Sequence, residues 1–344
     1  MIEVNNLTKE FKIVKKKPGL KGAINGLFTR DYIIKEAVKD ISFKINQGET
    51  VGYIGANGAG KSTTIKMLCG ILTPSRGDVS VNGVVPYQNR KKNAANIGVV
   101  FGQRTQLFWD IAVRESYELL KHIYSIPNQT YKKNMDLCIE VLNLKDLLDI
   151  PVRQLSLGQK MRCELAAAFL HNPLVVFLDE PTIGLDVAVK SRIRSFIKEV
   201  NRLRQTTVIL TTHDMQDIEE ICKRVIIIDQ GTILYDGGLE DIYTMFNQKR
   251  MIHFDLDLNG EFLLPKNLIK EVEIYRNNID DKKISLAFNN ETINTADIIG
   301  EMMKKYKIRD LTVTDPKIES IVKDIYEKGE IKNEKVLGNP KIPS

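Results

Sequence analysis

The chain is poor in the residues that cross-link or metallate small domains. It has four cysteines in 344 residues: Cys69, Cys138, Cys163 and Cys222. They form no C-x-x-C pair, which argues against a disulfide scaffold or a zinc ribbon. Each sits in an apolar or helical stretch, where a free cysteine serves as a small buried hydrophobe. A reducing compartment is expected. Histidine is also scarce, at four residues, and tryptophan occurs once. No apolar run approaches the ~20 residues that span a bilayer. The start, Met1-Ile2-Glu3-Val4, lacks the shape of a signal peptide. Location in the cytosol follows as an expectation, with attachment to a membrane protein left open. Charge of one sign is not in large excess: the net charge is +6. Apart from Lys15-Lys16-Lys17 the signs are mixed, so no nucleic-acid partner is expected.

Glycine, by contrast, is concentrated where it matters. Gly55-Ala56-Asn57-Gly58-Ala59-Gly60-Lys61-Ser62-Thr63 fits G-x-x-x-x-G-K-[ST], the phosphate-binding loop. Glycines let the backbone wrap an anion without Cβ clashes, and successive N–H groups then form a nest for phosphate oxygens. Lys61 would neutralise the β- and γ-phosphates of a nucleotide, and the Ser62 hydroxyl would ligate Mg²⁺. Residues 50–54 read as a buried strand entering the loop. Residues 62–68 read as a helix whose N-terminus faces the phosphates.

Elsewhere the hydrophobic pattern alternates between strand and helix. Residues 2–11 and 37–45 read as strands, with an interruption at 12–36. Residues 78–81 and 97–101 are short strands. Residues 111–172 change to helical periodicity and read as an all-helical insertion. The run 174–178 is continuously apolar, as in a parallel strand covered on both faces. Helix 187–204, strand 207–212, helix 215–222 and strands 224–229 and 232–236 complete an α/β domain over residues 1–246. A small α+β domain is expected at 247–329, followed by a polar, loose tail at 330–344.

Asp179-Glu180-Pro181 ends the apolar strand, on the edge where open α/β sheets bind ligands. Asp179 is suited to holding Mg²⁺ and Glu180 to orienting or deprotonating an attacking water. Ser156-Leu157-Gly158-Gln159 has two readings. It is a capping box in which Gln159 reciprocates the Ser156 cap, and it is a second phosphate reader at a helix N-terminus. Gln103, after strand 97–101, is either loop surface or a site residue. His213, after strand 207–212, is either structural or a γ-phosphate contact.

Taken in order, the loop 55–63, Gln103, Leu155-Ser156-Leu157-Gly158-Gln159, Asp179-Glu180, Gly184-Leu185-Asp186 and His213 resemble the motif set of ATP-binding-cassette (ABC) ATPases. The resemblance covers about residues 1–245. It implies a P-loop cassette of parallel sheet, antiparallel β subdomain and helical subdomain, and an ATPase that uses ATP and Mg²⁺. Two cassettes, identical or not, are implied to pair head to tail. Ser156, Gly158 and Gln159 would then act in trans, and Asp186 would be the cross-dimer contact. Gln103 would couple Mg²⁺ and water to integral membrane permease subunits. Phe11 is the implied adenine-stacking aromatic, with Tyr32 as runner-up. Leu157 stands where the family usually has glycine, which leaves the backbone donors in place.

The stretch 101–110, with Trp109, and the C-terminal domain resemble bacterial drug- and polysaccharide-exporter ATPases whose membrane subunits are separate chains. Export from the cytoplasmic face of the cell membrane is the expectation. A soluble ABC ATPase acting on a macromolecular complex is the alternative. In residues 14–31, Leu20, Ile24, Leu27 and Phe28 share one helical face. That segment is expected to pack on its own cassette or to dock on the membrane side.

Overall fold

The computed structural model describes residues 1–14, 32–102, 104–245, 249–257, 262–278, 283–289, 292–314 and 318–328. They divide into two compact units, Met1–Gly238 and Leu239–Lys328.

In the first unit, β1 (Ile2–Val14), β2 (Tyr32–Ile45) and β4 (Arg76–Val81) form an antiparallel sheet in the order β2-β1-β4. The larger sheet has the order β5-β6-β7-β3-β8-β9. Its members are β3 (Thr50–Gly55), β5 (Ile97–Phe101), β6 (Val175–Asp179), β7 (Thr207–Thr211), β8 (Arg224–Asp229) and β9 (Thr232–Gly238). The first five pair in parallel, and β9 runs antiparallel to β8. Every residue of β3 and β7 is buried. Strands covered on both faces need continuous apolar sequence rather than alternation, which is why these runs were plain in the sequence. The two sheets share one core, in which Ile2, Leu7 and Ile41 meet Tyr53, Met67 and Phe177.

Helices α1 (Lys61–Leu68), α2 (Arg90–Asn96), α6 (Val187–Arg204) and α7 (Met215–Ile221) accompany the sheets. The expected helical stretch contains α3 (Val113–Ile123), α4 (Asn128–Leu142) and α5 (Leu157–Phe169). Cys138, Cys163 and Cys222 are buried and unpaired, and Cys69 is half-buried and unpaired, as their apolar surroundings suggested.

Two readings need correction. The expected interruption at 12–36 is shorter, because β1 continues through Val14 and β2 begins at Tyr32, pairing Phe11 with Lys35 and Val14 with Tyr32. The first five residues of β2 are all exposed, so no buried face left a period of two. Helix α2 escaped notice because Arg-Lys-Lys-Asn-Ala-Ala-Asn carries no apolar stripe. Residues 15–31, with the expected helical stripe, lie outside the described residues, as do Gln103 and the tail at 330–344.

The second unit is α+β. It comprises α8 (Leu239–Met245), β10 (Arg250–Leu256), β11 (Val272–Asn278), β12 (Lys283–Phe288), α9 (Thr295–Lys305), β13 (Ile308–Thr314) and α10 (Ile318–Lys328). Its antiparallel sheet has the order β11-β12-β10-β13. Ile252, Phe254, Leu286, Phe288, Ile298 and Met302 fill its own core.

Candidate active site

A cavity of about 860 Å³ opens where the carboxyl ends of β3 and β6 meet α1. Ligands collect at this edge in open α/β sheets, since the strand ends leave a crevice and helix N-termini point into it. Its lining includes Asn57, Gly58, Gly60, Lys61, Ser62 and Thr63 from the loop, with Asp179, Glu180 and His213 opposite.

The loop conformation follows from its glycines. Gly58 and Gly60 have φ of 85° and 113°, a region that L side chains rarely adopt. A Cβ on Gly60 would also lie 2.6 Å from the Ala37 carbonyl oxygen. The backbone therefore turns tightly enough to aim the start of α1 at the cavity. Lys61 is buried, and its Nζ donates to the carbonyls of Gly55 at 2.6 Å and Ala56 at 3.2 Å. Burial pulls its pKa down, while Glu180 and Asp179 hold it up. Ala59 is buried, and its carbonyl accepts from the Gly231 N–H at 2.9 Å, which anchors the loop to the β8–β9 turn.

The acidic side is equally fixed. Asp179 Oδ1 accepts from the Thr211 hydroxyl at 2.5 Å, and the Ser62 hydroxyl lies 3.4 Å from Asp179 Oδ2. Glu180 has φ of 58°, a left-handed conformation that costs a non-glycine residue about 1–3 kcal/mol. The Glu180 N–H donates to the Thr211 carbonyl at 2.9 Å. Its carboxylate lies 3.0 Å from His213 Nε2. Burial raises the Glu180 pKa, and the nearby His213 and Lys61 oppose that rise. A carboxylate with a raised pKa, in contact with a histidine and opposite a phosphate loop, is suited to accept a proton.

Residues 38–183 match the ABC transporter family. The chain is 29% identical over 289 residues to the linearmycin resistance ATP-binding protein LnrL of Bacillus subtilis, covering 83% of this chain and 92% of that protein. It is 31% identical over 279 residues to the methionine import ATP-binding protein MetN 2 of Enterococcus faecalis, covering 79% of each. A solved ATP-binding cassette, dimeric in a post-hydrolysis state with ADP and Pi, superposes with a TM-score of 0.58. It is 26% identical to this chain and covers 70% of it and 99% of the solved cassette.

The chain belongs to the ABC transporter ATP-binding proteins. It is an ATP-binding P-loop ATPase, and the mixed sheet architecture is the fold of its cassette.

The cassette does not bring all the expected residues together. Ser156, Gly158, Gln159 and Asp186 do not line the cavity. Ser156 caps α5: its hydroxyl accepts from the Gln159 N–H at 3.3 Å, and Gln159 Oε1 accepts from the Ser156 N–H at 2.8 Å. Leu157, in the unusual signature position, is 51% exposed. Asp186 caps α6, accepting from the Val189 N–H at 2.9 Å. Phe11 lines the cavity, and Lys9 Nζ sits 5.3 Å from its ring centre. Tyr32 is not part of the lining.

Sequence reasoning missed three cationic lining residues, Lys35, Lys66 and Arg104. Lys35 and Lys66 stand in no motif, and Arg104 lies in the 101–110 stretch, which was read only for its resemblance to exporters. Lys35 could have been found only by recognising its register with Phe11. A buried ionic cluster behind the cavity, centred on Arg194 and Asp217, was also missed, because single charges inside helical patterns read as surface.

Proposed function

We propose that this ATPase powers export of a substrate through separate integral membrane subunits, and that it works as one of two cassettes closing on ATP. The observation that carries the pairing is the division of its motifs. The cavity gathers the phosphate loop, Asp179, Glu180 and His213, while Ser156, Gly158 and Gln159 stand at the exposed N-terminus of α5 outside it. A second cassette, identical or not, would bring its own α5 N-terminus to the γ-phosphate, where helix N–H groups favour an anion. Asp186 would lie at that contact.

Within one cassette the roles follow from position. The N–H groups of residues 55–63 hold the phosphates, Lys61 offsets their charge, and Phe11 stacks on the base. Ser62 and Asp179 offer oxygens 3.4 Å apart, a hard donor pair that fits Mg²⁺. When bound, Mg²⁺ would neutralise charge on the β- and γ-phosphates. Glu180 accepts the proton of the attacking water, and His213 orients Glu180 and meets the γ-phosphate. Gln103 links the same centre to the membrane subunit. The Leu239–Lys328 unit is an accessory module, since its core is its own and it carries no phosphate loop.

The direction of transport rests on the resemblance of residues 101–110 to exporters. MetN 2, named for import, favours the second reading: an importer ATPase of similar mechanism. Location is proposed at the cytoplasmic face of the membrane. Among the described residues no helix is long and apolar enough to cross one.

Affinity purification from detergent-solubilised membranes tests the proposal. Stoichiometric recovery of multi-span membrane chains supports it. Recovery of ribosomal or DNA-bound complexes without such chains overturns it. Uptake into inverted vesicles carrying the complex then separates export from import.

A further inference from the structure

Asp217, on α7, is 0% exposed. Its carboxylate gathers three donors. Arg194 Nε reaches Oδ1 at 2.6 Å, the Thr212 hydroxyl reaches Oδ2 at 3.1 Å, and the Thr182 hydroxyl also donates to Oδ2. The two hydroxyls come from the two turns that carry the reacting side chains. Thr182 is two residues past Glu180, and Thr212 immediately precedes His213.

Arg194, buried on α6, extends the grip. Its Nη1 donates to Glu220 at 2.9 Å, and its Nη2 lies 3.5 Å from Asp214 Oδ2. Asp214 also takes Lys190 Nζ at 2.6 Å, and its own N–H donates to the Thr212 hydroxyl at 3.0 Å. His213 is thus bracketed by two residues held from one centre. None of these groups lines the cavity.

A buried ion pair is weak evidence for stability, because desolvation offsets the attraction. Its place in the fold points to a different use. Glu180 keeps a left-handed φ, and such a conformation persists only where its surroundings over-determine it. The Thr211 carbonyl holds the front of the Glu180 turn. The bond from Thr182 to Asp217 holds the back.

We infer that Asp217 and Arg194 are positioning residues for ATP hydrolysis. They lock the Glu180 turn to the His213 turn from behind, and so set the 3.0 Å contact between those side chains. This rests on the proposed roles of Glu180 and His213. Neither Asp217 nor Arg194 lines the cavity, so their loss acts on turnover and not on binding.

The test uses the full-length chain, ATP with Mg²⁺, and four variants. Thr182→Val removes one hydroxyl at nearly constant volume, and Thr182→Ser keeps it. Thr212→Val removes the second arm, and Glu180→Gln is run in parallel. Thr182→Val should lower kcat about tenfold or more, in line with the cost of sub-ångström to ångström misplacement. KM and the Kd for ATP should stay within about twofold of wild type, and Thr182→Ser should restore kcat. If Thr182→Val melts well below wild type, Thr212→Val carries the same comparison. A wild-type kcat in the valine variants beside an inactive Glu180→Gln overturns the inference, as does failure of Thr182→Ser to rescue. Retained turnover in Glu180→Gln contradicts the assignment of Glu180 itself.

Discussion

Glu180 Oε1 and His213 Nε2 lie 3.0 Å apart, although 33 positions separate them in the chain. The pairing is a product of sheet register. Strands β6 and β7 are parallel neighbours that align Asp179 with Thr211, so the residues just past each strand end emerge side by side. Replacing His213 by alanine should leave ATP binding intact and cost about 10²-fold in kcat, the scale of losing one preorganised polar partner in a transition state. Steady-state hydrolysis and equilibrium ATP binding by the purified chain check this. A drop in affinity with kcat preserved would contradict it.

Two glycines of the phosphate loop should behave differently. Gly58 and Gly60 both have positive φ, but a Cβ on Gly58 meets nothing within 4 Å, whereas one on Gly60 meets the Ala37 carbonyl at 2.6 Å. Gly58→Ala should therefore incur backbone strain alone, about 1–2 kcal/mol. Gly60→Ala should cost more, about 2–4 kcal/mol, because β2 must also shift. Urea denaturation of both variants decides the order, and Gly60→Ala should also lose ATP affinity.

The pH dependence has a defined sign. Burial raises the Glu180 pKa in the fold above its ordinary value of 4.5. The folded chain then holds that proton more tightly than the unfolded chain. The associated stability is fully present below the ordinary glutamate value and is lost as pH rises through the raised folded value. Glu180→Gln removes that loss. It should melt above wild type at pH 7–8, and the gap should close as pH falls toward 4.5. A gap of opposite sign, or one independent of pH, would show that burial does not govern this carboxyl.

Much of the cassette was legible because its chemistry is local. The loop 55–63, Asp179-Glu180 and the Ser156–Gln159 capping box each lie within a few consecutive residues, and the buried parallel strands announce themselves as apolar runs. What escaped was set by tertiary pairing. The arms of β1 and β2 near Phe11 and Lys35 are exposed although they carry Ile13, Tyr32, Ile33 and Ile34, so the apolar residues there do not alternate as in a half-buried strand. The tie from Thr182 to Asp217 spans 35 positions and joins the turn after β6 to α7. Arg194 looked like one of several basic residues on a helix, and only burial shows that it is the one turned inward.

Phe11, half-exposed at the cavity rim, should supply stacking to the adenine. Phe11→Ala should weaken ATP binding by about 1–3 kcal/mol, the usual worth of one base–aromatic stack. Phe11→Tyr should be close to wild type. Tyr32→Ala, outside the cavity lining, should change affinity little. Fluorescence titration with a nucleotide analogue ranks the three.

The role proposed for Glu180 is to accept the proton of the attacking water in a site built by the phosphate loop. Turnover of Glu180→Gln, measured as phosphate release by the full-length chain at saturating ATP and Mg²⁺ with ATP binding measured in parallel, tests it most directly. Unchanged binding is expected, with a kcat lower by about 10²- to 10⁴-fold, the range for loss of a general base. Phosphate release near the wild-type rate, with ATP bound as before, would contradict it.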